Sequence, residues 1–332
     1  MIQLEIGKVA GNKLKRVILD KIDHFRSDVF VPAGPGEDSA VIDFGDHMLV
    51  VSSDPITGAE KNAGFLAVNV ACNDIAAAGA EPFGIQVVLL LPPELEEESS
   101  EKIMEEIVAA AKDINVEVLG GHTEITDLVK KPIIVVTSLG RAKKNELTSS
   151  SSAESGDILY ISKGMGIEGS YILASDYEEH LLEKGVEPAS IKSVQKYINK
   201  LSVLPESRIA RKNGVKALHD VTEGGVYGAI SEMAAASDLG YLIEKDNFTV
   251  SKEVADICGN LNMDPAGLIS SGTMLMAVPK EINLNEIFKD SGIEIFRVGK
   301  LLKKGKYILE NGEKKKYEPP EEDELWKFIE KI

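Results

Sequence analysis

From residue 14 to residue 22 the apolar positions Leu14, Val17, Ile18, Leu19 and Ile22 keep to roughly one face, which predicts a helix within the first 30 residues. Strands and helices then alternate from about residue 34 to 143. Residues 47–53 (HMLVVSS) and 83–91 read as strands, and residues 62–79 read as a helix so rich in Ala and Gly that it must pack tightly against something. A helix over 94–112 follows Pro92 and Pro93 with an acidic first turn, which suits the positive end of a helix dipole. Residues 116–119 and 133–139 are two further strands. The polar, serine-rich stretch 144–157 (KNELTSSSSAESGD) cannot order itself by burying its own surface, so a boundary falls there and divides the chain into 1–145 and 146–332. The second half repeats the mixed style. Strands are predicted at 158–163, 274–278 and 295–300, helices at 170–182 and 203–213, and the strand-like LHD at 218–220 runs into another helix. The charged tail predicts a short closing helix. The fold class is α/β in two domains.

Composition narrows the function classes. The 332 residues are 43% hydrophobic and 27% charged, as in a globular protein with room for two cores. Thirty-seven Lys and Arg against 54 Asp and Glu give a net charge of −17, so neither nucleic acid nor an anionic membrane is an expected partner. Cys72 and Cys258 are too few for a disulfide framework or a cysteine-rich zinc site. The N-terminus lacks the apolar core of a signal peptide, and the longest strongly apolar run, IQVVLLL, is too short to span a bilayer, so a cytoplasmic location is expected.

Several local patterns suggest chemistry that their surroundings do not support. Gly164, Gly166 and Gly169 fit GxGxxG, yet the charged helical segment that follows offers no second parallel strand ending in an acid about 20 residues on, so a tight strand-to-helix turn is the better reading. No GxxxxGK[ST] loop is present. His24, His47 and His180 lack metal-ligand spacing, and Cys72, among alanines, reads as a buried packing thiol, with Cys258 similar.

What remains is a set of acids in glycine-flanked or small-residue segments. Asp38 stands in GPGEDSAV, Asp54 closes MLVVSSD, Asp74 interrupts NVACNDIAAAGA, Glu124 follows the turn GGHT, and Asp220 precedes VTEGG. Each alone is as well explained as a cap or a solvated loop acid. Together they suit Mg²⁺, which prefers carboxylate oxygens and bridges to phosphates. Gly224 and Gly225, at a helix start, are placed to offer backbone N–H groups to a phosphate. The residues therefore point to a metal-dependent nucleotide or phosphate site.

As an ordered set, GEDSAV at 36–41, SSD at 52–54, VNVACNDIAAAGAEP at 68–82, GGHTEIT at 120–126, HDVTEGGV at 219–226 and SGTML at 271–275 resemble the AIR synthetase-like superfamily. That group includes aminoimidazole ribonucleotide synthetase, selenophosphate synthetase, thiamine-monophosphate kinase and HypE. The resemblance runs from Gly7 to near Lys300, and GKVAGNKLKRVI and HDVTEGG look most like HypE. It implies a two-domain fold and a homodimer whose N-terminal domains pair into a shared barrel, with ATP and Mg²⁺ as cofactors near that interface. Carried over by motif, Asp38, Asp54 and Asp74 are the metal and phosphate ligands. Thr123, Glu124, Gly224 and Gly225 line the site, and Asp220 faces the same cleft. The implied chemistry is phosphoryl transfer from ATP to a small molecule or a partner group.

Two departures bear on that expectation. The sequence has no cysteine after Cys258, whereas HypE carries its reacting group on a C-terminal cysteine. His122 stands in GGHT where related members have an acid; it can donate to a phosphate, act as a base alongside Glu124 and Asp220, or be structural. An ATP-responsive scaffold without turnover and a metal-dependent phosphohydrolase are the alternatives.

Overall fold

The computed structural model describes residues 11–22, 25–34, 36–320 and 322–332. Gly7, most of GKVAG and His24 lie outside them. Two sheets organise the described residues. The first contains β1 (Val29–Val31), β2 (Ala40–Asp43), β3 (Met48–Ile56), β4 (Glu81–Leu91), β5 (Glu117–Ile125) and β6 (Ile133–Ala142), in the order β1-β2-β3-β6-β4-β5. The second contains β7 (Ile158–Ser162), β8 (Ala217–Val221), β9 (Gly240–Glu244), β10 (Thr273–Val278), β11 (Ile295–Leu302), β12 (Lys306–Glu310) and β13 (Glu313–Lys316), in the order β13-β12-β9-β11-β7-β10-β8. The helices are α1 (Gly11–Val17), α2 (Ala63–Ala77), α3 (Glu97–Asp113), α4 (Ile167–Asp176), α5 (Glu178–Glu183), α6 (Pro188–Val194), α7 (Leu204–Lys212), α8 (Gly225–Ala236), α9 (Lys252–Leu261), α10 (Leu284–Phe288) and α11 (Glu324–Ile329). Among the described residues no helix is long and apolar enough to cross a membrane.

The small-residue helix is the hub. Fourteen of the 15 residues of α2 are buried, which its Ala, Gly and Val content permits and a larger-residue sequence would not. Its middle packs with α3 on the first sheet, around Val68, Ala71, Cys72, Val87 and Val136. Its last turn, Ala76 and Ala77, packs instead against Val203, Leu218 and Met274 of the second half. Polar contacts fix that junction. Asn73 donates to the Leu201 carbonyl at 2.8 Å and accepts from the Val203 N–H at 2.9 Å, and the Ser207 hydroxyl donates to the Ala76 carbonyl at 2.6 Å. On the second sheet α8 covers one face, burying Val226, Ile230 and Met233 against Ile161, Tyr241 and Leu275.

The serine-rich stretch is ordered by its neighbours. Thr148 donates to the Ala77 carbonyl at 2.5 Å, and Ser150 donates to the Leu218 carbonyl at 3.3 Å, so it is stitched to both halves. Several expected elements shift. The first helix stops at Val17, and Val17, Ile18 and Ile22 are exposed rather than packed. The predicted helix 170–182 is two helices, α4 and α5, meeting at Tyr177. The strand expected at 116–119 runs on through Gly120 and Gly121 to Ile125, so GGHTEI is edge strand rather than turn. Gly121 has φ 155°, and a Cβ there would lie 1.8 Å from the Val87 carbonyl oxygen; only glycine lets β5 approach β4 this closely. The Gly164–Gly169 segment is the expected strand-to-helix turn. Its strand β7 pairs antiparallel with both β10 and β11, which excludes the parallel crossover of a dinucleotide site.

Candidate active site

Four acids converge where α2 passes between the two sheets. Asp54 lies inside β3, paired opposite Val136 of β6, rather than at the strand's end. Asp74 projects from α2 and is 8% exposed; Asp220, on β8, is 1% exposed. Asp38 lies on the loop before β2, which packs against α8. Gly36 there has φ 75°, and a Cβ on it would come 2.7 Å from the Glu232 carbonyl oxygen, so glycine is needed for the loop to close on that helix.

The Ser52 hydroxyl ties the first two acids together. It donates to Asp74 Oδ2 in a short hydrogen bond and lies 3.5 Å from Asp54 Oδ2, while the Ser39 hydroxyl donates to the Asp74 carbonyl at 3.1 Å. Burial, then the charges of Asp220, Asp54 and Asp38, push the Asp74 carboxyl well above the ordinary carboxylate range. A concentration of negative charge this dry is unfavourable unless a cation enters it.

One cation does so at the rim. His219, 2% exposed, sits beside Asp220 on β8 but by strand alternation points the other way, toward α8. Its Nδ1 lies 2.8 Å from Asp38 Oδ1, and its Nε2 lies 3.1 Å from Glu232 Oε2. Burial alone would depress this imidazole, but the two flanking carboxylates outweigh burial and hold it well above its usual value, as an imidazolium. Glu37 is raised by burial and accepts from the Ser149 hydroxyl at 3.0 Å, which anchors the same loop.

The remaining candidates are placed differently. Asp54 pairs with Val136, Val136 with Val87, and Val87 with Gly121. The GGHTEI edge is thus three strand spacings, about 14 Å, from Asp54. By the same register Thr123 shares the α2-facing side of the sheet, whereas His122 and Glu124 face the other side. Those two lie 3.6 Å apart, with their side chains more than half exposed. Within one chain the structure does not bring His122, Thr123 or Glu124 to the acids. The α8 N-terminus is already occupied: the Gly224 N–H donates to Asp323 Oδ2 at 2.6 Å and the Gly225 N–H to the Thr222 carbonyl at 3.0 Å. Burial pushes Asp323 up to about 6. Cys72 and Cys258 are buried, with thiols pushed up to about 12 by that burial, and His180 stacks edge-on to Phe328; all three are packing residues, as their sequence context suggested. The sequence alone does not single out His219, Glu232 or Ser52. The signal for His219 was its place in LHD, next to a buried acid.

Among the described residues no group of three or more His, Cys, Asp or Glu is set to hold a metal ion by itself. The donors at the cluster, Asp54, Asp74 and the Ser52 hydroxyl, are all oxygens. This is the set Mg²⁺ accepts, because it keeps several waters and takes one or two carboxylates together with substrate phosphates.

Comparison with known proteins decides the family. Residues 36–142 match the AIR synthase related protein N-terminal domain, and residues 154–310 match its C-terminal domain. The chain belongs to the AIR synthase-related family. A Methanocaldococcus jannaschii protein named for hydrogenase expression and formation is 31% identical over 284 residues, covering 83% of this chain and 81% of that protein. The Escherichia coli hydrogenase maturation protein HypE superposes with a TM-score of 0.72 at 23% identity, covering 83% of this chain and 87% of HypE. The Aquifex aeolicus thiamine monophosphate kinase ThiL, solved with AMPPCP and TMP, superposes with a TM-score of 0.74 at 18% identity over 96% of this chain and 99% of that one. These structures share the fold of this family member.

Proposed function

We propose that this protein is an ATP- and Mg²⁺-dependent enzyme that transfers a phosphoryl group from ATP to a small molecule or a protein-borne group. The observation that carries the reading is the convergence of the half-buried Asp38 and Asp54 with the buried Asp74 and Asp220, with Asp74 held well above its ordinary range by burial and its neighbours. A triphosphate approaching these acids needs divalent metal between the charges. Asp54 and Asp74 are the metal acids, joined by Asp38 at the rim, and Mg²⁺ when bound supplies neutralisation of the developing phosphate charge. The chain's own residues do the positioning: Ser52 fixes Asp74, and His219 fixes Asp38 and closes the glycine loop over the site. Residues 1–145 form the ATP- and metal-binding domain and 146–332 the second domain. In titrations with ATP, Asp54→Asn is expected to lose the Mg²⁺-dependent part of binding; an unchanged Mg²⁺ response removes Asp54 from the site.

A homodimer completes the reading. The edge strand β5 is exposed along nearly its whole length, and Leu119, Ile125 and Leu128 present 50%, 70% and 89% of their surface beside the exposed Phe83. An apolar sheet edge of this kind calls for a partner. Pairing of two N-terminal sheets would cover it, and would carry His122 and Glu124 toward a neighbouring subunit, the arrangement in which they could act on a substrate. The variant Ile125→Asp is expected to sediment as a single chain at micromolar concentration where the wild type sediments as two. A wild type that sediments as one chain argues against the dimer. A binding protein without turnover is the second reading, favoured by the distance of His122 and Glu124 from the acids within one chain; ADP release with any acceptor excludes it.

A further inference from the structure

The chain's charge is distributed unevenly. Residues 300–317 carry seven lysines against two glutamates, in a protein whose net charge is −17. The fold concentrates six of these lysines on one edge, Lys300 lying on the interior strand β11. β12 and β13 form a hairpin at the end of the second sheet, with β13 the terminal strand. Lys303 and Lys304 occupy the turn before β12, Lys306 opens that strand, and Lys314, Lys315 and Lys316 make up most of β13; all six are exposed. The family match ends at residue 310, so β13 lies beyond it.

This edge is held rigidly. Asn311 and Gly312, with φ of 55° and 76°, form a two-residue turn of the kind that suits a twisted hairpin. Asp246 accepts from both of their N–H groups, at 2.7 and 2.9 Å. At the other end the Tyr317 N–H donates to the Lys306 carbonyl, and the Tyr317 ring lies 5.4 Å from that of buried Tyr227. Glu310 pairs opposite Glu313, so the alternation of an antiparallel ladder turns the N–H and C=O groups of Lys314 and Lys316 outward. Their side chains share the face that carries Tyr307, whose ring lies 3.9 Å from the Lys314 ammonium. Lysines on an edge strand discourage edge-to-edge aggregation. Lys306 and Lys315 also pair with Glu318 and Glu310, at 3.4 and 2.7 Å, so Lys303, Lys304, Lys314 and Lys316 are the ones placed to meet an incoming acidic segment.

We propose that the β13 edge is a docking site for an acidic, extended segment of a partner protein, which adds a strand against Lys314 and Lys316 and places its carboxylates on the lysines. A second copy does not fit this edge, because pairing β13 with itself sets lysine against lysine. Nucleic acid is disfavoured by the acidity of the rest of the molecule. The preformed, anchored strand spares the protein's side of the complex an ordering cost.

Fluorescence anisotropy with three labelled probes tests this: a short peptide of alternating Glu and Thr, its Gln/Thr counterpart, and oligothymidylate. The Glu/Thr peptide is expected to bind best, and more weakly as salt is raised. K314E/K316E is expected to weaken it about tenfold or more. K316P keeps Lys314 and most of the charge but removes an outward N–H, and is expected to weaken the peptide too. Thermal melts matching the wild type establish that each variant is folded. Unchanged peptide binding by K314E/K316E overturns the proposal, as does oligothymidylate binding as tightly as the peptide. Equal binding of the Gln/Thr peptide also overturns it.

Discussion

Asp74→Asn should make the protein more stable and leave it unable to bind Mg-ATP. The two effects have one cause. Asp74 is 8% exposed on a helix whose neighbours leave it little water, and Asp220, Asp54 and Asp38 all oppose its ionisation. Asparagine keeps the shape and can still accept the Ser52 hydroxyl through its amide oxygen. It removes the repulsion, so a gain of about 0.5–2 kcal/mol is expected, as when a destabilising functional group is neutralised. The pH dependence carries the same sign. An acid whose folded value is raised costs stability as pH climbs through that value, and the variant should lack this part of the decline. Denaturant melts across pH, paired with ATP titrations, check both halves. A less stable variant, or one that binds Mg-ATP as the wild type does, contradicts the account of the cluster.

His219→Ala should have the opposite effect on stability. The imidazolium is 2% exposed and is flanked at 2.8 and 3.1 Å by Asp38 and Glu232. Removing it takes the counter-charge from Asp38 and Glu232 and the glycine loop's contact with β8. Breaking a buried ion pair from one side costs about 3–5 kcal/mol, and a loss in that range is expected in urea melts. Adding Asp38→Asn to the variant should recover part of the loss, because one of those charges is then gone. His219 is raised in the folded protein. Its stabilising contribution is therefore complete below about pH 6.5, the value of a free histidine, and fades as pH rises toward the folded value. The wild type should lose stability in the alkaline range more steeply than the variant. A loss below about 1 kcal/mol would mean that the pair is no more than a surface-type contact.

Much of the fold could be read from periodicity. The strands at 47–53, 83–91, 133–139 and 158–163 and the helices at 62–79 and 203–213 sit within a few residues of where the pattern put them, because each has one clearly apolar face or is apolar throughout. The burial of α2 followed from composition alone. Two elements misled for identifiable reasons. Gly120 and Gly121 read as a turn because glycine usually marks one, whereas here it serves the close approach of β5 to β4. The apolar stripe from Val17 to Ile22 reads as one face of a helix, yet the helix stops at Val17, and Val17, Ile18 and Ile22 stay about half exposed. At the site, the motif acids of both halves stand out in the sequence, and in the structure Asp54 and Asp220 both lie close enough to Asp74 on α2 to raise it. The role of His219 was not legible. Its partners lie 181 and 13 residues away, and only the folding of the Asp38 loop onto α8 brings all three together. The distance of His122 and Glu124 from the acids was equally invisible, because it depends on sheet order rather than on spacing along the chain.

The measurement that bears most directly on the central claim is calorimetric titration of the 332-residue protein with ATP, with and without Mg²⁺. A carboxylate site predicts binding near one ATP per chain when Mg²⁺ is present and little or none without it. Equal binding in both conditions, or no binding in either, would contradict a metal-bridged nucleotide site at Asp54 and Asp74.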